Sequence, residues 1–276
     1  MNNILKPISN SNFMIKFLLV VLCSIINILA INNYAFDTQG KLVCDNYVLN
    51  TYLYVVLAFV IMGAVFIIDE RFKLMFGLMG MGMMYYGVLL LFLIINFGLI
   101  FALHYVDPTN LMASHAIWTT LIMITGFILT ASLYLGIYTG VLYQAILLTI
   151  IATIATGLIG YYYGEQLISV DFEKYLSGAL ILLVVAYIIG PFFVKDIAQF
   201  YYIMAGISLV IFILLLLAYN KNIRQRAETC TTPNYPLESF GLIIKIVNVL
   251  KDLIILLGKK GGAQTLINYL SLKNNR

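Results

Sequence analysis

Five residues near the end of the chain carry its clearest chemistry. Glu238, Gly241, Lys245, Asn248 and Asp252 are spaced by three, four, three and four. At 3.6 residues per turn they fall on one face of a helix. The opposite face reads Ile243, Ile246, Val247, Leu250 and Ile254. Ionisable groups inside a membrane are costly, and by default they mark ion or proton paths. Two placements fit the stripe. The helix lies in the membrane interface with the stripe toward water, or it stands inside a bundle with the stripe facing a polar centre. Lys245 sits about two turns, roughly 10 Å, beyond Ser239, a distance from which a lysine can snorkel to the surface.

No other constellation suggests catalysis. The chain has no Ser-His-Asp set, no zinc motif and no paired carboxylates, so no enzyme activity, catalytic residue, cofactor or metal site is expected. Cys23 sits in an apolar run, and Cys44 and Cys230 in loops. No pair has metal-ligand spacing. A Cys44–Cys230 disulfide would need both loops on one side of the membrane and is not expected. His104 and His115 lie near the ends of apolar runs, where packing is the expected role. The net charge of +4 is spread along the chain and implies no nucleic-acid partner. The basic tail (Lys259, Lys260, Lys273, Arg276) reads as a solvated tail, or as one lying on anionic head groups.

The elements that must position the stripe are membrane helices. Hydrophobic residues make up 62% of the chain and charged residues only 10%, against about 25% charged in a soluble domain. From Pro108 to Gly164 there is no Asp, Glu, Lys or Arg. Lipid offers backbone groups no partner, so spans this uniform are helices. They lack the alternation of a transmembrane barrel strand. Apolar runs cover 17–31, 51–68, 74–105, 116–138, 141–163, 176–194 and 197–219.

The run 74–105 is longer than one straight crossing needs. It is one tilted helix, or a span with an interfacial extension. With the stretch 239–257 the fold is an all-α, polytopic membrane bundle of seven to eight helices. Residues 1–33 form a tail and an extra membrane helix, 51–258 the main membrane domain, and 259–276 the basic tail. The apolar run 17–31 is read as a retained helix, since no clear cleavage site follows it.

Asp69-Glu70-Arg71-Phe72-Lys73 reads as a short interfacial loop. With alternating crossings, Lys6, Lys16, Arg71, Lys73 and Lys195 fall on one side, and Lys41, Lys174, Lys221, Arg224 and Arg226 on the other. That balance gives no orientation. The glycine-rich run 77–87 and the pairs Gly136/Gly140 and Gly160/Gly164 read as sites of close helix packing.

The order of motifs adds a resemblance. A charge-free span ends in Leu217-Ala218-Tyr219-Asn220, and a polar link, 221–234, contains Arg226-Ala227-Glu228. Tyr235-Pro236-Leu237-Glu238 follows, then the striped stretch, then Gly258-Lys259-Lys260-Gly261-Gly262. This layout resembles the Bax inhibitor family of membrane proteins. Family members end their penultimate helix in a Tyr-Asp-Thr-Gln-like motif, where this chain has Tyr219-Asn220-Lys221-Asn222. Their last helix carries a Leu-Tyr-Leu-Asp-Ile-Ile-Asn-like run, where this chain has Leu242-Ile243-Ile244-Lys245-Ile246-Val247-Asn248. Upstream, the segment Ser114 to Thr120 resembles a helix opening of the family, and Arg71, further upstream, matches an arginine that the family has at the start of a separate helix. The link and the closing glycines look most like the mitochondrial, growth-hormone-inducible branch.

The resemblance implies a protein connected with calcium or proton movement and with restraint of cell death. It also implies a gate of two aspartates, one at each motif, which would share a proton. The matching residues here are Asn220 and Lys245. Asn220 cannot ionise, and Lys245 brings positive charge where the family has negative. With no other buried acid to replace the pair, the expectation is a family fold whose gate is lost or altered. The alternative is a structural accessory subunit of a larger membrane complex, such as a respiratory assembly. Expected partners are the lipid bilayer and, under that alternative, other membrane subunits. The expected site is a mitochondrial inner membrane, with endoplasmic reticulum or Golgi membrane as the alternative. Asn220 and Lys245 also have plain readings: a helix end at the interface, and a lysine that snorkels or pairs with Asp69, Glu70 or Asp196.

Overall fold

The computed structural model describes residues 10–79 and 83–258. Among them nine α-helices follow in order: α1 Asn10–Ala35, α2 Tyr47–Phe72, α3 Leu74–Met79, α4 Met83–Tyr105, α5 Leu111–Thr139, α6 Leu142–Leu167, α7 Val170–Ile189, α8 Ile197–Glu228 and α9 Tyr235–Leu257. No strand occurs among the described residues. Six helices are long and apolar enough to cross a membrane: α1, α2, α5, α6, α7 with the 3-10 turn after it, and α8. The shorter apolar helix Leu90–Tyr105 lies within α4. The all-α membrane bundle expected from the sequence is the observed fold. The expected basic tail, 259–276, lies outside the described residues.

Local signals set the helix ends. The Ser169 hydroxyl accepts from the Phe172 amide at 3.2 Å, and Asp171 and Glu173 occupy the first turn of α7, where the helix dipole favours negative charge. Asp196 caps α8 by accepting from Gln199 at 2.9 Å. Asn234 caps α9 by accepting from Leu237 at 3.2 Å. Gly140 adopts φ +73 between α5 and α6, a backbone region that glycine enters without the Cβ clash.

Two readings of the sequence are corrected by the structure. Residues 69–73 are not a loop. Helix α2 runs through Arg71 to Phe72, and the buried Asp69 carboxylate accepts from the Met75 amide at 2.7 Å. That bond satisfies the start of α3, so the acid stabilises a tight helix–helix joint instead of open solvent contact. The described parts of the run 74–105 are α3 and α4, and residues 80–82 between them lie outside the described residues. Around Gly77 and Gly87 an added Cβ would meet nothing within 4 Å, so these two glycines do not mark close packing. Gly80 and Gly82 lie outside the described residues.

The chain divides into two compact units, with boundaries inside α5, α8 and α9. The first holds residues 1–131 and 227–243. Its core is a polar and aromatic cluster. Tyr54 packs edge-on to Trp118 at 5.6 Å and stacks on Tyr235 at 5.8 Å. The Trp118 indole donates to Ser239 at 3.0 Å. The Asn50 amide donates to the Tyr34 and Asp45 carbonyls at 3.0 and 2.9 Å, and the Tyr235 hydroxyl donates to the Val43 carbonyl. His115 is held between the Tyr54 hydroxyl at 2.6 Å and the Leu111 carbonyl at 2.7 Å, the packing role expected of it. Helix α1 lies along α2, and Lys16 reaches Glu70 at 3.0 Å.

Beside this cluster Cys44 and Cys230 form a disulfide with Cα atoms 5.9 Å apart, contrary to expectation. The Tyr235 hydroxyl bond to Val43 places the loop before α2 next to the start of α9, and so brings the two sulfurs together.

Candidate functional site

The second unit holds residues 132–226 and 244–276, and with them most of the polar residues singled out in the sequence. Helix α9 settles the first alternative. No residue from Tyr235 to Leu257 is exposed, so α9 is enclosed and does not lie on the surface with its stripe toward water. The stripe is buried in steps. Glu238 and Asp252 are buried, while Gly241, Lys245 and Asn248 are intermediate.

Asn220 is not a helix end. Helix α8 continues two turns past it to Glu228, which shortens the polar link to 229–234. The charges there do not stop the helix because neighbouring helices neutralise them. The Lys221 ammonium donates to Glu173 at 2.7 Å and to the Ile168 carbonyl, at the end of α6, at 3.0 Å. Asn222 donates to the same carboxylate at 3.0 Å. Arg224 donates to the Tyr161 carbonyl at 2.8 Å.

Glu173 is the clearest site residue that the sequence reading passed over. Its acid in the first turn of α7 was visible, but its partner was not.

Asn220 itself is buried and turned toward α6. Its side-chain amide donates to the Leu216 carbonyl at 2.8 Å, a bond within its own helix. An added Cβ on Gly160 would lie 2.6 Å from the Leu217 carbonyl oxygen and 2.8 Å from Asn220 Cβ. On Gly164 it would lie 2.6 Å from Lys221 Cβ. The Gly160/Gly164 pair is therefore the seat of α8 on α6, as its spacing suggested. Gly136 likewise admits Leu142 and Ile254.

Lys245 lies over the ring of Tyr219, the residue before Asn220, at 4.0 Å from the centroid. Arg226 approaches the same ring at 5.6 Å. The Tyr219 ring thus faces two cations, while Asn220, the next residue on α8, is turned toward α6. A cation–π contact of this kind is worth about 0.5–2 kcal/mol.

The expectation that no other buried acid exists fails at Asp252. It is fully buried, two turns beyond Lys245 on α9. Asn248, between them, donates to the Ile244 carbonyl at 2.8 Å and accepts from Lys251 at 3.2 Å. Glu238 and Arg71 belong to the first unit, and Asn220, Lys245, Asn248 and Asp252 to the second.

Long apolar helices, an enclosed polar last helix and ion pairs between helices define a multi-pass helical membrane protein. The family model described as "Bax1-I: Inhibitor of apoptosis-promoting Bax1" matches residues 44–262. The chain belongs to this Bax inhibitor family. No curated protein matches it.

Proposed function

We propose that this chain is a Bax-inhibitor-type membrane protein in which the aspartate-gated calcium or proton leak is lost or altered. One observation carries the reading. Where the resemblance places the gate, the enclosed helix α9 presents the Lys245 ammonium against Tyr219, and α8 presents a buried, non-ionisable Asn220. A positive group at a constriction opposes a divalent cation by direct repulsion, strongest where water is scarce.

The location proposed is a mitochondrial inner membrane. The Cys44–Cys230 disulfide supports a topology in which the loop before α2 and the link after α8 face an oxidising compartment. The intermembrane space and the endoplasmic-reticulum or Golgi lumen both have that character. No catalytic role is proposed.

The test is calcium flux into liposomes holding the purified protein. The wild type is expected to show none above empty liposomes. The N220D/K245D double variant, which rebuilds the carboxylate pair, is expected to gain an acid-sensitive flux. An acid-silenced flux in the wild type overturns the reading.

A further inference from the structure

Asp252 stands out among the buried groups because its carboxylate, fully buried, faces one ammonium and has no well-formed hydrogen bond. Its side chain is fully buried, and neither carboxylate oxygen makes a hydrogen bond. The buried Ser208 hydroxyl on α8 and the Tyr187 hydroxyl on α7 also lack hydrogen-bond partners. Ser208 nonetheless lies close enough to interact with both the Asp252 carboxylate and the Tyr187 hydroxyl, though short of well-formed hydrogen-bond geometry to either. Three helices therefore aim four oxygens at one another in a closed space. Buried oxygens left this way each cost about 1–3 kcal/mol, and native interiors rarely leave them so.

The charged group nearest this cluster is Lys251. Its ammonium is 3.7 Å from Asp252 Oδ1, beyond hydrogen-bond length, with side-chain exposures of 33% for Lys251 and 0% for Asp252. The same ammonium donates to Asn248 at 3.2 Å and stands 5.5 Å from the Tyr187 ring centroid. Tyr201 of α8 stacks on Tyr187 at 5.9 Å. Gly136 of α5 touches α9 at the apolar Ile254, and Gly206 of α8 at the apolar Leu256. The ionisable groups that act on Asp252 are thus Lys251 from its own helix and Tyr187 from α7.

We propose that Asp252 is a proton-binding site, with the Lys251 ammonium as the alternative holder of its negative charge. The chemistry is one proton on one oxygen. In the ionised state the carboxylate is held by Lys251, and the Ser208 hydroxyl can donate to it. When a proton adds to a carboxylate oxygen, Asp252 becomes neutral and can donate a hydrogen bond to Ser208. Lys251, one-third exposed on a flexible stem, is then free to leave the carboxylate and keeps its own charge. A neutral acid answers the burial cost of a lone carboxylate. A single negative charge already faced by a tethered cation does not suit a divalent ion. The site is an Asp–Lys pair two turns from Lys245, and it stands whether or not the Asn220/Lys245 reading holds.

The experiment is infrared difference spectroscopy of the full-length protein in lipid nanodiscs, titrated from roughly pH 9 to pH 4. The carbonyl stretch of a buried, protonated carboxylic acid is expected to appear on acidification. It is expected to be lost in D252N. In K251M, which keeps the carboxylate and removes the cation, its half-point is expected to move up by about 1 pH unit or more. A wild-type spectrum matching that of D252N throughout the titration overturns the proposal. So does a half-point that K251M leaves in place, or a band that responds to sodium concentration instead of pH. If D252N fails to give a monodisperse, disulfide-bonded protein, the K251M shift decides alone. None of these readouts depends on calcium flux.

Discussion

Lys245 of α9 sits 4.0 Å from the ring centroid of Tyr219 on α8, next to Asn220 in sequence. Helices α8 and α9 are thereby joined through an aromatic face that prefers cations. Replacing Tyr219 by Phe keeps that face, and replacing it by Leu removes it. Y219L is expected to lose about 1 kcal/mol of stability in detergent unfolding, with Y219F close to wild type. Equal losses for the two would assign the effect to the hydroxyl and not to the ring.

The seat of α8 on α6 is unforgiving. Gly160 has a backbone carbonyl at 2.6 Å from its ideal Cβ, and a carbonyl cannot rotate away as a side chain can. Gly164 faces Lys221 Cβ at 2.6 Å, an atom fixed to the backbone of a residue that Glu173 holds in place. G160A and G164A are therefore each expected to destabilise by about 1–3 kcal/mol. Thermal unfolding by intrinsic fluorescence would measure both, and a near-neutral effect of either would contradict this packing.

Lys221 and Glu173 make a largely buried pair, with side-chain exposures of 6% and 24%. Breaking such a pair leaves a charge without its partner. K221M and E173Q alone are each expected to cost about 2–3 kcal/mol, below the full buried-pair figure because Glu173 keeps some solvent. The K221M/E173Q double variant should cost much less than the sum of the single losses. An additive cycle would show that the pair does not act as a unit.

Much of the fold was legible because lipid permits little else. Charge-free runs of sufficient length have to be helices, and the runs 17–31, 51–68, 116–138 and 197–219 fall inside observed helices, with 141–163 and 176–194 overrunning theirs by a few residues. The Gly160/Gly164 contact was legible because small residues one turn apart leave room for a second backbone. What escaped the reading depends on partners distant in sequence. Lys221 looked like the start of a polar link because its partner, Glu173, lies 48 residues away. Arg71 looked like part of a loop because the bond from Asp69 to the Met75 amide has no pattern of its own. Asp252 was correctly placed on the stripe. That α7 and α8 would bury it against two unsatisfied hydroxyls could not be read from α9 alone.

The disulfide offers the most direct check on topology. A signal for it was present, since the alternating count that put Lys41 and Arg226 on one side also put Cys44 and Cys230 there. Cys23 is exposed and unpaired, in the apolar α1. In sealed organelles or proteoliposomes, maleimide labelling after reduction is therefore expected to reach Cys44 and Cys230 from one face only. The same face must be the oxidising one. C44S and C230S are each expected to abolish the mobility difference between reduced and non-reduced samples. Each should lower stability by about 2–4 kcal/mol. The lower end is favoured, because spans that stay inserted already confine the unfolded chain and leave less loop entropy for the crosslink to remove. Labelling of the two cysteines from opposite faces would contradict the bond and the topology together.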